Sequence, residues 1–187
     1  MTVRSAPTKM TYQDLLRLPE DLLRHELIEG EHIVSAAPTL RHQRVAFHLA
    51  FAISAFVRPR ALGEVFMAPV DVLLSQRDVV EPDVLFVSKT NATRLRERHV
   101  EGAPDLAIEV LSPSSARIDR VKKLRLYERH GVREYWVADP AGETLEVFRR
   151  TDAGRLAHRA TLSHAAGDVL ETPLLAGLRI ALSEIFG

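Results

Sequence analysis

The chain has 187 residues, 46% of them hydrophobic and 27% charged, which suits one domain with a buried core and leaves no low-complexity tract to argue for disorder. Lys+Arg and Asp+Glu balance at 25 each, so no overall positive field draws the protein to nucleic acid, and any such contact must come from a local patch. The absence of cysteine excludes disulfides and thiolate metal sites, fits a reducing cytosol, and leaves oxygen or imidazole as the ligands of any metal.

Residues 1–10, MTVRSAPTKM, read as a flexible leader before a single domain over 11–187, with no apolar run of signal-peptide type. No later stretch reaches the ~20 apolar residues of a membrane span, so the sequence reads as soluble and cytoplasmic. Thr11 can cap a short helix that Pro19 ends, and HELIEGEHIV alternates on either side of Glu29-Gly30 as a hairpin does. Val45, Leu49, Ile53 and Phe56 recur at helical steps, predicting a helix over Leu40 to Val57 that Pro59 stops. Gly63 to Ser75 reads as two strand segments or one strand bulged at Pro69, with Asp71 interrupting it.

Val79 to Val87 predicts a strand, NATRLRERHVEG a polar Arg-rich connection, and Pro104 to Ser112 a further strand interrupted by Glu109. Ser114 or Ser115 can cap a helix that runs to His130 and ends at Gly131. VREYWVADP is then a strand, ETLEVFRR and RLAHRATL a hairpin, and PLLAGLRIALSEIF a turn, a short strand and a helical stub. The central order is helix, strand, strand, strand, helix, strand, which predicts an α/β (α+β) fold with a mixed sheet covered on its faces and flanked by β-hairpins.

A lone buried carboxylate costs several kcal/mol unless it is paired, hydrogen-bonded or bound to a cation. Asp83, at the mouth of VVEPDVLFVS, and Glu109, within PDLAIEVLS, are each flanked by apolar residues. Carboxylates converging from neighbouring strands repel, and a hard divalent cation such as Mg²⁺ or Mn²⁺ relieves the repulsion. The alternative is that each acid ends its strand in water or pairs with a basic side chain, which is the plainer reading for Asp71 and Glu81. The metal reading requires the two carboxylates to face one point without each being neutralised by its own arginine.

In SARIDRVKKLRLYERHG, at ~100° per residue, Lys122, Arg125 and Arg129 share one solvated face. Lys123 points elsewhere, on a four-residue ladder with Asp119 and Tyr127. A helix returning along the strand of Glu109 brings Lys123 within reach of that acid, where it could orient water or stabilise phosphate charge, or merely pair with Asp119.

Acid at PD, acid on the next strand, then a lysine, in this order of elements, resembles the PD-(D/E)XK nuclease superfamily. The pieces HELIEGEHI, RHQRVAFHLA, VVEPDVLFVS, GAPDLAIEVLSPSS, DRVKKLRLYERHGVREYWVADP and PLLAGLRIALSEIF resemble more closely the Uma-two family of restriction-endonuclease-like proteins over nearly the whole chain. The resemblance implies metal ligation by Asp83 and Glu109, Lys123 completing the site, Glu26 as a further acid near the metal, and His42 facing the same cleft. It departs at Leu111, which stands where the superfamily places its lysine; in this family that lysine has moved to the following helix, where Lys123 lies. The implied activity is Mg²⁺-dependent (or Mn²⁺-dependent) hydrolysis of DNA phosphodiesters, with a homodimer suited to cutting both strands. The alternatives are a DNA-binding or interaction module that keeps the fold without the chemistry, its basic loop drawn from Lys89, Arg94, Arg96 and Arg98, and a hydrolase of small substrates.

Overall fold

The computed structural model describes residues 9–19, 21, 23–112 and 116–187. Most of the expected leader, and the expected helix caps at Ser114 and Ser115, lie outside the described residues. Helix α1 (Tyr12–Leu15) starts where the Thr11 backbone and hydroxyl both donate to Asp14. Strands β1 (Arg24–Ile28) and β2 (Glu31–Ser35) make the expected hairpin, and Glu29 and Gly30 both take positive φ at its turn. Helix α2 (Leu40–Val57) is capped by Thr39, which accepts from the His42 backbone, and ends in a 3-10 turn holding Pro59.

The Gly63 to Ser75 stretch is two strands, β3 (Gly63–Met67) and β4 (Asp71–Ser75), which belong to different sheets. The strand expected over Val79 to Val87 also divides, into β5 (Asp78–Val80) and β6 (Val84–Ser88). The physical reason lies in Glu81-Pro82-Asp83. Pro82 has no N–H for a ladder, and the Glu81 N–H donates instead to the Glu26 carboxylate at 2.8 Å. The chain therefore crosses from one sheet to the other at these three residues.

The expected polar connection holds a 3-10 turn and a short strand, β7 (His99–Glu101), which runs parallel to β4. Strand β8 (Leu106–Val110) follows; then Ile118–Lys123 forms a π-helical turn leading into α3 (Leu124–His130), where a regular α-helix was expected. Gly131 ends α3 at φ 89°, a left-handed cap. Strands β9 (Glu134–Asp139), β10 (Thr144–Arg150) and β11 (Leu156–Ser163) complete a six-stranded sheet of order β11-β10-β9-β8-β6-β3. A pair β12 (Val169–Glu171) and β13 (Arg179–Ala181) precedes the terminal helix α4 (Leu182–Phe186).

The predicted core is present as α2, β3, β6, β8, α3 and β9. Strands β3, β6 and β8 pair antiparallel, and β8 pairs parallel with β9. Alternation along these strands divides the core into two layers. Val84, Phe86, Leu106, Ile108 and Trp136 face α2 and the C-terminal elements. Leu85, Val87, Ala107, Tyr135 and Val137 face the other way, toward Leu126 and Tyr127 of α3 and Val72 and Val80 of the second sheet, whose order is β2-β1-β5-β4-β7. The expected mixed sheet is thus joined by a second, five-stranded one and by the β12-β13 pair, and the hairpin β1-β2 is an integral part of that second sheet.

Among the described residues no helix is long and apolar enough to cross a membrane.

Candidate active site

The pairing of β6 with β8 sets Val84 opposite Ile108, and one further step of the same register sets Asp83 opposite Glu109. Residues opposite one another across an antiparallel pair project from the same face, with Cβ atoms about 5 Å apart. Both acids therefore leave the sheet on the side of α3 and the second sheet. Asp83 and Glu109 are 3% and 1% exposed, and they line one cavity of about 550 Å³ together with Arg24, Glu26, His42, Glu81, Asp119 and Lys123.

Five elements deliver these groups, with Glu109 on β8. Arg24 and Glu26 alternate on β1 and so share a face. His42 sits in the first turn of α2, Glu81 and Asp83 on the crossing between sheets, and Asp119 and Lys123 in the π-helical turn. A π-turn widens the helix locally and recurs at functional sites; here Asp119 and Lys123 are both buried on it.

Lys123 is 2% exposed. Its Nζ lies 2.9 Å from Glu109 Oε1, 2.9 Å from Glu26 Oε1 and 3.7 Å from Asp119 Oδ1. The Tyr127 hydroxyl donates to the same Glu109 Oε1 at 2.7 Å, which completes the Asp119-Lys123-Tyr127 ladder expected from the sequence. Among the described residues nothing hydrogen-bonds Glu109 Oε2. Asp83 Oδ1 accepts from Arg24 Nη2 at 2.6 Å, while Oδ2 accepts from the Val110 N–H at 2.8 Å and lies 3.2 Å from His42 Nε2. His42 Nδ1 is buried with no hydrogen-bond partner among the described residues.

Asp83 thus has an arginine of its own, and Glu109 a lysine. Carboxyl groups nonetheless outnumber permanent cations, since five of them (Glu26, Glu81, Asp83, Glu109 and Asp119) are buried here with Arg24 and Lys123. The proton affinities follow burial first and neighbouring charge second. Burial would raise the Asp83 carboxyl, but the His42 hydrogen bond and the Arg24 charge hold it at about 2. Burial pushes Glu81 up to about 7, with Arg24 at 3.9 Å offsetting part of the rise and Asp71 and Glu26 adding to it. Burial also raises Glu109 well above its ordinary value; Lys123 opposes this, and Asp119, Asp83 and Glu26 reinforce it. Lys123 is held protonated because its three carboxylates outweigh its own desolvation.

The donor set fits a hard cation. No three acid or imidazole groups among the described residues form a ready metal cage, but Mg²⁺ commonly takes one or two carboxylates and fills the rest of its octahedron with water and substrate oxygens. Asp83 and Glu109, side by side with one oxygen of Glu109 unbonded, match that requirement, as does the excess of acid.

All five residues named from the sequence, Asp83, Glu109, Lys123, Glu26 and His42, line this cavity. Sequence reasoning missed Arg24, and read Glu81 as an acid that ends its strand in water or pairs with a basic side chain; it does lie 3.9 Å from Arg24, but buried at 9% exposure in the cavity lining. The two-residue spacing of Arg24 and Glu26 could have signalled the first; nothing local signals the second. Asp71 lies at the start of β4, where its carboxylate accepts from the Tyr12 hydroxyl at 3.3 Å, outside the cavity lining. The Arg-rich connection is partly engaged within itself, with Arg96 on Glu101 at 2.6 Å and Arg94 on the Ala103 carbonyl.

A family model described as "Putative restriction endonuclease", Uma2, matches residues 12–183. A solved structure from Anabaena variabilis, described as a "putative nuclease belonging to DUF820", superposes with a TM-score of 0.79 at 22% identity, over 95% of this chain and 97% of its own. At that identity the likeness shows the fold. A type IIG restriction endonuclease, BpuSI, aligns at 16% identity and a TM-score of 0.40 over 65% of this chain and 13% of its own. No curated protein matches the chain.

Proposed function

The chain belongs to the Uma2 family, and from that premise we propose that it is a Mg²⁺-dependent (or Mn²⁺-dependent) endonuclease hydrolysing phosphodiester bonds of DNA. The observation that carries the reading is the convergence of Asp83 and Glu109, both buried, on one cavity with more carboxyl groups than cations.

Asp83 and Glu109 are the residues that would hold the cation. When bound, such a cation polarises the phosphate and lowers the pKa of a water. Glu109 is fixed for this role through one oxygen only, since Lys123 and Tyr127 both bond Oε1. Asp83 is oriented by the Val110 N–H. Lys123 keeps Glu26 and Glu109 together without mutual repulsion, and its positive charge borders the space where phosphate charge develops. His42 borders the same space beside Asp83.

A second reading, a DNA-binding or interaction module without chemistry, draws on the partners Asp83 already has. Its basic loop is weakened by the internal contacts of Arg94 and Arg96. Incubation of the purified protein with supercoiled plasmid and Mg²⁺ or Mn²⁺ separates the two. Nicking by the wild type, lost in Asp83→Asn, Glu109→Gln and Lys123→Met proteins that still fold, is the expected result. No cleavage of DNA under either metal, together with DNA binding that ignores Asp83→Asn, would establish the module instead.

A further inference from the structure

The two cations of the cavity differ in freedom. Lys123 is enclosed by three carboxylates and 2% exposed. Arg24 comes from the other sheet, its side chain is 21% exposed, and one hydrogen bond, Nη2 to Asp83 Oδ1 at 2.6 Å, holds its guanidinium. A guanidinium has five donors, and the rest of them have no hydrogen-bond partner among the described residues. Glu81, 3.9 Å from Nε, stands beside the guanidinium as its second counter-charge.

Asp83 does not depend on Arg24 for its orientation, because the Val110 N–H and His42 both engage the other oxygen, Oδ2. Removing the arginine would free Oδ1 alone. That oxygen and the unbonded Glu109 Oε2 are the two a divalent cation would use.

We propose that Arg24 serves as a stand-in cation on Asp83 in the resting protein and, when a divalent cation takes Asp83, turns to grip a DNA phosphate at the cavity mouth. The exchange rests on the metal-nuclease reading above. Its chemistry is that of the arginine fork, which matches two oxygens of a phosphate as well as those of a carboxylate. Charge bookkeeping favours it, since the doubly charged ion replaces a singly charged group and releases that group toward an anionic substrate.

Calorimetric titration of Mn²⁺ into wild type, Arg24→Gln and Asp83→Asn, with folding checked by circular dichroism, tests the first half. Arg24→Gln should bind Mn²⁺ at least ~10-fold more tightly than wild type, since a competitor is removed, and Asp83→Asn should bind it poorly. The second half is read from binding to a short duplex in Ca²⁺ at several salt concentrations, where Arg24→Gln should lower the salt slope by about one phosphate. Equal or weaker Mn²⁺ affinity in Arg24→Gln overturns the exchange and leaves the metal site standing, and so does an unchanged salt slope. Failure of wild type and Arg24→Gln alike to bind Mn²⁺ overturns both. Should Arg24→Gln not fold, the wild type answers by NMR: Mg²⁺ should strip exchange protection from the Arg24 side-chain protons, and protection retained at saturating Mg²⁺ refutes the exchange.

Discussion

Glu81 offers a test of the burial of acid in the cavity that needs neither metal nor substrate. Its carboxyl rises from 4.5 unfolded to about 7 folded, so between those values the native state keeps a proton that the unfolded chain has lost. For a raised acid the contribution to stability is fully present below pH 4.5 and disappears as pH climbs through 7. At 1.36 kcal/mol per pKa unit the loss is about 3 kcal/mol, a large share of a typical domain's stability. Glu81→Gln cannot ionise and should lack this component. Urea denaturation of both proteins at pH 4 and pH 8 measures it: wild type should lose about 3 kcal/mol more than Glu81→Gln over the interval. Parallel pH dependence in the two proteins would show that Glu81 ionises freely and would refute the account of a desolvated acid. Added Mg²⁺ should flatten the wild-type curve, because a cation in the cavity favours the ionised form.

Lys123→Met should cost about 3–5 kcal/mol in chemical denaturation, since it removes the cation that lies 2.9 Å from both Glu26 and Glu109. Adding Glu109→Gln to it should restore part of that loss, which a double-mutant cycle will measure. Tyr127→Phe removes the 2.7 Å bond to Glu109 Oε1 and should cost about 1–2 kcal/mol in the same assay. At low pH, Asp83 contributes in the opposite sense to Glu81. Its carboxyl is depressed from 3.8 to about 2, so about 2 kcal/mol present above pH 3.8 should vanish as pH falls through 2, and Asp83→Asn should flatten that acid limb of the denaturation profile.

The αβββαβ core was legible because its signals are local. The helical recurrence from Val45 to Phe56, the proline stops and Gly131 fix their elements without reference to the rest of the chain. Asp83 and Glu109 stood out because each interrupts an apolar strand. What escaped depends on pairing between distant segments. Glu81 and Pro82 sit inside a run that reads as one strand, and only the hydrogen bond from the Glu81 N–H to Glu26, on the hairpin, shows why the chain changes sheets there. Arg24 was hidden for the same reason, as its partner lies on a strand of the other sheet. The π-turn at Ile118–Lys123 has no compositional mark; the requirement that both Asp119 and Lys123 turn inward becomes visible only once Glu109 and Glu26 are in place.

The passage of the chain between sheets through Glu81-Pro82-Asp83 has a bearing on when chemistry becomes available. Glu26 and Arg24 ride on one sheet and Glu109 on the other, with Lys123 as the rivet between them. A nascent chain in which either sheet is still unformed therefore lacks the assembled acid cluster altogether. The acid cluster is a property of the docked pair of sheets and of neither sheet alone.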